Sequence, residues 1–327
     1  LEPIHEQTSR QLLDQEIISE EQHVAVSAYR SFHIFSLHNE ILFLMYLGVI
    51  VFTGGAGILV YQHIDTIGHT ILLLLLLSVT IGCFYFAFKK ASAYSNSQTD
   101  FAHPFYNYVV LGGSILGGIF INYLEIQYQP FGNRYAWPAL LTALFSIAAA
   151  YRFDNRPVLS IGITALAAAI GITATPQAVL EANVFTDGFV LYAGILLAVL
   201  LALWEEVSRR ESIKTHFSNL FLNFSIHLTG ICCIVGLCDD YWPIYAIILA
   251  VSCWYFWFQS DKKGYLSVFI FVLLYGFIGF NIAFVRTLTI IDIPDFWAPI
   301  AILSPIYTVG AIVLFIRAVK QFNRQHS

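Results

Sequence analysis

The sequence predicts an all-α, polytopic transmembrane helix bundle, and three observations carry that prediction. Only 11% of the residues are charged and 58% are hydrophobic, whereas a soluble domain carries about 25% charged residues. Apolar stretches that approach the roughly 20 residues needed to cross a bilayer recur from residue 41 to residue 318. Between them, the basic residues concentrate in every second connection. The net charge of −5 and the lack of a basic cluster speak against nucleic acid as a partner.

Residues 1–40 read as a cytoplasmic amphipathic helical segment, without the tripartite pattern of a cleaved signal. Gln11 to Ile18 form a short amphipathic helix. Ser19 then stands three residues before Gln22, the spacing of a capping box, so a second helix starts there and runs toward Arg30. The two make a helical hairpin suited to docking on the bundle, on a second copy or on a partner.

About ten spans follow, at roughly 41–62, 67–88, 105–126, 135–152, 157–174, 188–206, 216–237, 241–260, 264–286 and 296–318, with residues 319–327 as a tail. With the N-terminus inside, the inner segments hold 14 of the 16 Lys and Arg residues, and the outer ones hold only Arg134 and Arg286. Losing or adding a span scrambles that alternation, so the positive-inside rule gives an N-in, C-in orientation. Trp137-Pro138, Trp242-Pro243 and Trp297-Ala298-Pro299 open inward-going spans. Trp prefers the headgroup level and Pro is harmless in a first helical turn. The likeness of YAWPALLTALFSIAAAYRF to YWPIYAIILAVSCWYFWFQ suggests a repeat pairing spans 3–6 with spans 7–10. The five cysteines lack a CxxC pair and read as small buried thiols, Cys238 beside Asp239 and Asp240 excepted.

The N-terminal third carries a family resemblance. Leu12, Leu13, Ile17, Ile18, Ser19, Glu21 and Gln22, followed by a first span with Gly48, Gly54, Gly55 and Gly57, resemble the bacterial membrane proteins called domain of unknown function number twenty-one fifty-seven. In that pattern a Gly commonly precedes the Ile pair, where this chain has Glu16. The resemblance implies a helical membrane protein of the bacterial cytoplasmic (inner) membrane and brings no catalytic residues.

Two spans bear polar stripes. In FYNYVVLGGSILGGIFINYLEI, Asn107, Ser114, Gly118, Asn122 and Glu125 fall on one face. Such a face turns toward protein or water, because polar groups in hydrocarbon are costly. Its asparagines and serine serve interhelical hydrogen bonds or line a path; Glu125 is either solvated or a cation-attracting gate. Gly112-Gly113 and Gly117-Gly118 allow close helix approach. In span 7, His216, Asn219, Asn223, His227 and Gly230 share a face. His227, near mid-span, is either a neutral hydrogen-bonded histidine or a proton-handling or ligand-binding group. Facing each other across a cavity, the stripes make a substrate path of Asn107, Ser114, Asn122, Glu125, Asn223 and His227, joined by Asn281 of span 9.

No cofactor is predicted, although His63, Asp65 and His69 in an acidic outer face offer weak ligands for a divalent cation. Glu205 and Glu206 pair with Arg209 and Arg210 at i,i+4 spacing. No P-loop, GxSxG or HExxH motif occurs. The leading expectation is a transporter or permease for a small polar or cationic solute. The alternatives are a non-catalytic subunit of a larger membrane complex, bound through residues 1–40 and Gly-rich faces or as a homo-oligomer, and a membrane-embedded enzyme acting on a lipid or quinone.

Overall fold

The structure, a computed structural model, describes residues 19–22, 38–99, 101–132, 134, 136–174, 188–291 and 297–326. Within those residues all regular secondary structure is helical. Lipid offers no partner to a backbone N–H or C=O, and a helix pairs them within one segment. Among the described residues the ten long helices are α1 (His38–Ile67), α2 (His69–Lys90), α3 (Phe105–Tyr128), α4 (Trp137–Phe153), α5 (Arg156–Ala174), α6 (Gly188–Arg210), α7 (Ser218–Gly236), α8 (Trp242–Lys263), α9 (Leu266–Ile291) and α10 (Trp297–His326). Each overlaps one expected span. Eight are long and apolar enough to cross a membrane, while α4 and α5 give shorter apolar stretches. The 17 residues of α4 extend about 26 Å at 1.5 Å per residue, short of a hydrocarbon core of about 30 Å.

Two compact units divide the chain, residues 1–54 and 55–327. In the first, Ser19 and Gln22 exchange the two hydrogen bonds of a capping box: Ser19 N–H donates to Gln22 Oε1 at 2.9 Å and Gln22 N–H to Ser19 Oγ at 3.3 Å. The continuation toward Arg30, and the preceding helix from Gln11 to Ile18, lie outside the described residues. In α1, Phe43, Leu44, Ile50 and Phe52 are exposed, as lipid-facing side chains are.

In the second unit, the order of neighbours repeats with a period of four helices. Helix α2 lies along α3, α3 along α4 and α4 along α5; α6 then lies along α7, and α7 and α8 along α9. The sets α2–α5 and α6–α9 meet where α5 packs on α6. Both α4 and α8 begin with Trp-Pro in the first turn. Both end on a left-handed residue, Asp154 (φ 55°) and Gly264 (φ 68°), whose N–H returns to the carbonyl of Ala150 or Ser260. Glycine occupies that conformation without a Cβ penalty, and aspartate is among the few other residues that tolerate it.

Packing inside the bundle is close. The α6–α9 core gathers Leu222, Ile226, Tyr245, Leu249, Val268 and Val272. The small residues of α3 face partners within the chain: a Cβ on Gly117 would lie 2.6 Å from Phe145, and one on Gly113 2.9 Å from Cys83 Cβ. Helix α10 packs chiefly on α9, stacking Phe322 on Phe269 at 4.3 Å. Ile302, Ile306, Val309 and Leu314 of the same helix are exposed.

Candidate functional site

The first residues of α7 and α9 build a polar ladder. Asn219, Asn223 and His227 recur every four residues on α7, and Ser267, Phe271 and Tyr275 do so on α9, so each set lines one face. Ser267 Oγ joins both asparagines, accepting from Asn223 Nδ2 at 3.0 Å and donating to Asn219 Oδ1 at 3.2 Å. His227 Nδ1 is 2.8 Å from the Tyr275 hydroxyl, and its ring meets Phe271 edge-on with centroids 4.1 Å apart. The Tyr275 ring reaches this position by lying on Gly230, where a Cβ would come within 2.5 Å of it. Asn223 Oδ1 is buried and takes no hydrogen bond among the described residues.

The stripe on α3 turns elsewhere. Asn122 Nδ2 donates to Thr142 Oγ1 of α4 at 3.2 Å and to Gly118 O at 2.8 Å. Ser114 is fully buried and back-bonded to Val110 O at 2.8 Å. Glu125, buried, accepts the N–H of Phe131 at 3.2 Å and so ties down the turn after α3. At Asn107 it is the backbone carbonyl that is engaged, by Asn155 Nδ2 at 2.8 Å. Among the described residues α3 and α7 are not packed neighbours. Each stripe is spent on a different neighbour: that of α3 on α4 and its flanking turns, that of α7 on α9. Asn281 lies in a separate open hollow of about 500 Å³ with Arg286 and Thr289. Helix α1 continues through Ile67, so positions 63 and 65 are helical, with side chains outside the described residues. His69 Nδ1 meets the Tyr123 hydroxyl at 2.8 Å, and no group of three metal-ligating side chains occurs among the described residues.

Sequence reading missed the ionic cluster at the end of the bundle that carries Arg152, Arg209 and Lys262. Asp154 and Lys214 side chains are 1% and 0% exposed and meet at 2.6 Å. Asp154 Oδ2 also accepts from the Thr99 N–H at 3.1 Å and from the Thr99 hydroxyl, and Oδ1 lies 3.0 Å from His216 Nε2. Lys214 donates its N–H to Asn96 O at 2.8 Å and sets its ammonium 4.8 Å from the Tyr94 ring centre. One carboxylate thus ties the α2–α3 linker, the α4–α5 turn and the α6–α7 loop together. Nearby, Glu205 pairs with Lys263 at 2.7 Å and accepts from Ser218, replacing the expected Glu205–Arg209 pair. Glu206 takes both Arg209 (2.7 Å) and Arg210 (2.8 Å). The physical reason is burial: Glu205 points inward with a fully covered side chain, beyond the reach of the exposed arginines on its own helix. A signal did exist in the sequence. Asp154 is an acidic residue placed among basic inner connections, and partners 60 residues away are what a short loop cannot supply itself.

A family model described as predicted membrane protein (DUF2157) matches residues 10–159. The match bears out the resemblance carried by residues Leu12 to Gly57 and extends through α4 to the start of α5, including Asp154. No curated protein and no solved structure matches the chain. By its apolar helices and this match, the protein is an integral membrane protein.

Proposed function

We propose that the protein is a carrier or permease for a small polar or cationic solute, working as a ten-span, N-in and C-in protein of the bacterial cytoplasmic membrane. The observation that carries this reading is the buried Asn223 Oδ1, an acceptor that meets no donor among the described residues, one helical turn from His227 and on a side chain whose Nδ2 is hydrogen-bonded to Ser267. An unmet buried acceptor costs about 1–3 kcal/mol. A site that keeps one is matched to a donor arriving from outside, such as an ammonium or a hydroxyl. The binding face is placed on α7 and α9 because Asn122 and Glu125 are already engaged by Thr142 and Phe131. The charge alternation supports the orientation, and slight local thinning of the bilayer accommodates α4 and α5 at modest cost. Asp154 and Lys214 then act as a latch at the cytoplasmic end, joining the α2–α5 set to the loop after α6. A buried ion pair contributes little net stability relative to an apolar pair, and it suits an element that must break and re-form. The test is uptake by proteoliposomes offered a defined mixture of amino acids, polyamines and sugars, with luminal contents read by mass spectrometry. The wild type accumulates at least one solute above protein-free vesicles, and Asn223→Ala and His227→Ala each lose that uptake. Equal uptake by both variants, or none by the wild type, would sink the reading.

A second reading has its own observation. Glycines Gly48, Gly54, Gly55 and Gly57 of α1 and Gly310 of α10 meet nothing within 4 Å among the described residues, and the 18-residue apolar window of α10 has 0% of its residues buried. Open small-residue faces let another membrane helix approach closely. These faces, with residues 1–40, favour a non-catalytic subunit of a larger membrane complex. Native mass spectrometry after gentle extraction distinguishes the two: a partner in fixed ratio, lost on deleting residues 1–40, favours the subunit.

A further inference from the structure

A hollow of about 600 Å³ lies between α6 and α8, apart from the polar ladder. The two helices meet through Tyr192 stacked on Tyr245 and through the Glu205–Lys263 pair, and both lean on α7. Val199, Ala202 and Leu203 form one wall, Val251 and Trp254 the other, and Thr229 of α7 is the floor. Trp254 is 75% exposed and Val251 59%, so the hollow opens sideways, toward hydrocarbon. Its polar residues gather at one end: Glu206, Arg209, Gln259 and Lys262. From Val251 to Lys262, as from Ala198 to Arg209, is 11 positions, about 16 Å at 1.5 Å per residue. That is close to half of a hydrocarbon core about 30 Å thick. The groove therefore runs through one leaflet and ends at the headgroup level of the basic end. Glu206 is already shared by Arg209 and Arg210, whereas Lys262 makes no ion pair or hydrogen bond among the described residues.

We infer that this groove binds one bilayer phospholipid with an anionic headgroup, its acyl chain along Ala202, Val251 and Trp254 and its phosphate at Lys262 and the open edge of Arg209. The inference is independent of the carrier reading, since none of these residues belongs to the α7–α9 ladder. Charge complementarity selects the lipid: an uncovered ammonium at the mouth of an apolar slot matches an amphiphile with an anionic head. The test loads the detergent-purified protein from vesicles of equal phosphatidylglycerol and phosphatidylcholine and reads bound lipid by native mass spectrometry. The wild type keeps phosphatidylglycerol in preference to phosphatidylcholine. Lys262→Gln lowers that preference about fivefold, the worth of one basic residue beside an anionic lipid, with total lipid retained. Ala202→Trp fills the groove and loses bound lipid of both kinds; if it does not fold, Lys262→Gln decides alone. Equal retention of the two lipids by the wild type overturns the inference, as does an unchanged preference in Lys262→Gln. A disulfide between copies carrying Trp254→Cys, which would place a second chain in the groove, overturns it too.

Discussion

Replacing Lys214 by methionine leaves the Asp154 carboxylate, 1% exposed, without the ammonium 2.6 Å away. Removing one member of a buried ion pair costs about 3–5 kcal/mol, because the surviving charge stays buried and uncompensated. Asp154→Asn strands the Lys214 ammonium in the same way, although the Tyr94 ring face 4.8 Å away offers it weak compensation. The double variant carries no stranded charge and keeps an acceptor for the Thr99 N–H. Its loss should fall short of the sum of the two single losses by about 3 kcal/mol, at the upper end of coupling for contacting residues. At about 2 °C per kcal/mol for a large domain, each single variant lowers the midpoint of thermal unfolding by roughly 6–10 °C. The drop of the double variant should be about 6 °C smaller than the two single drops taken together. The assay is tryptophan fluorescence of the detergent-solubilised protein at a fixed scan rate, since unfolding of such a protein is commonly irreversible. Strictly additive losses, or single variants within 1 °C of the wild type (about 0.5 kcal/mol on the same conversion), would show that this pair does not join the loops as described.

The remaining predictions concern packing and exposed charge. Gly230→Ala puts a methyl group 2.5 Å from the Tyr275 ring; overpacking of this kind costs about 1–3 kcal/mol, and adding Tyr275→Ala should recover part of the thermal stability. Thr142→Val removes the acceptor of Asn122 Nδ2 and should cost about 1 kcal/mol, read as a small drop in unfolding midpoint with no change in helix content by circular dichroism. Arg210→Ala breaks only an exposed contact with Glu206, which Arg209 still holds; its unfolding midpoint should match the wild type at both low and high salt.

Local chemistry settled much of this protein before any tertiary contact formed. A helix in lipid pairs its backbone within one segment, so apolar runs such as ILLLLLL in α2 declare their own conformation. The same locality explains the Trp-Pro starts of α4 and α8 and the reciprocal bonds of Ser19 and Gln22. Periodicity also placed Asn219, Asn223 and His227 on one face. It could not say which helix that face meets, because the angle around a helix axis carries no information about its neighbours. Only the packed bundle turned Asn122 toward Thr142, His227 toward Tyr275 and Glu205 toward Lys263 rather than Arg209. The same holds for Asp154, whose partners Thr99 and Lys214 stand 55 and 60 residues away and come together only when the ends of three helices converge. Residue type and spacing determined the helices and their polar faces. Burial, which makes an unpaired charge or hydrogen-bonding group costly, decided how those faces were matched.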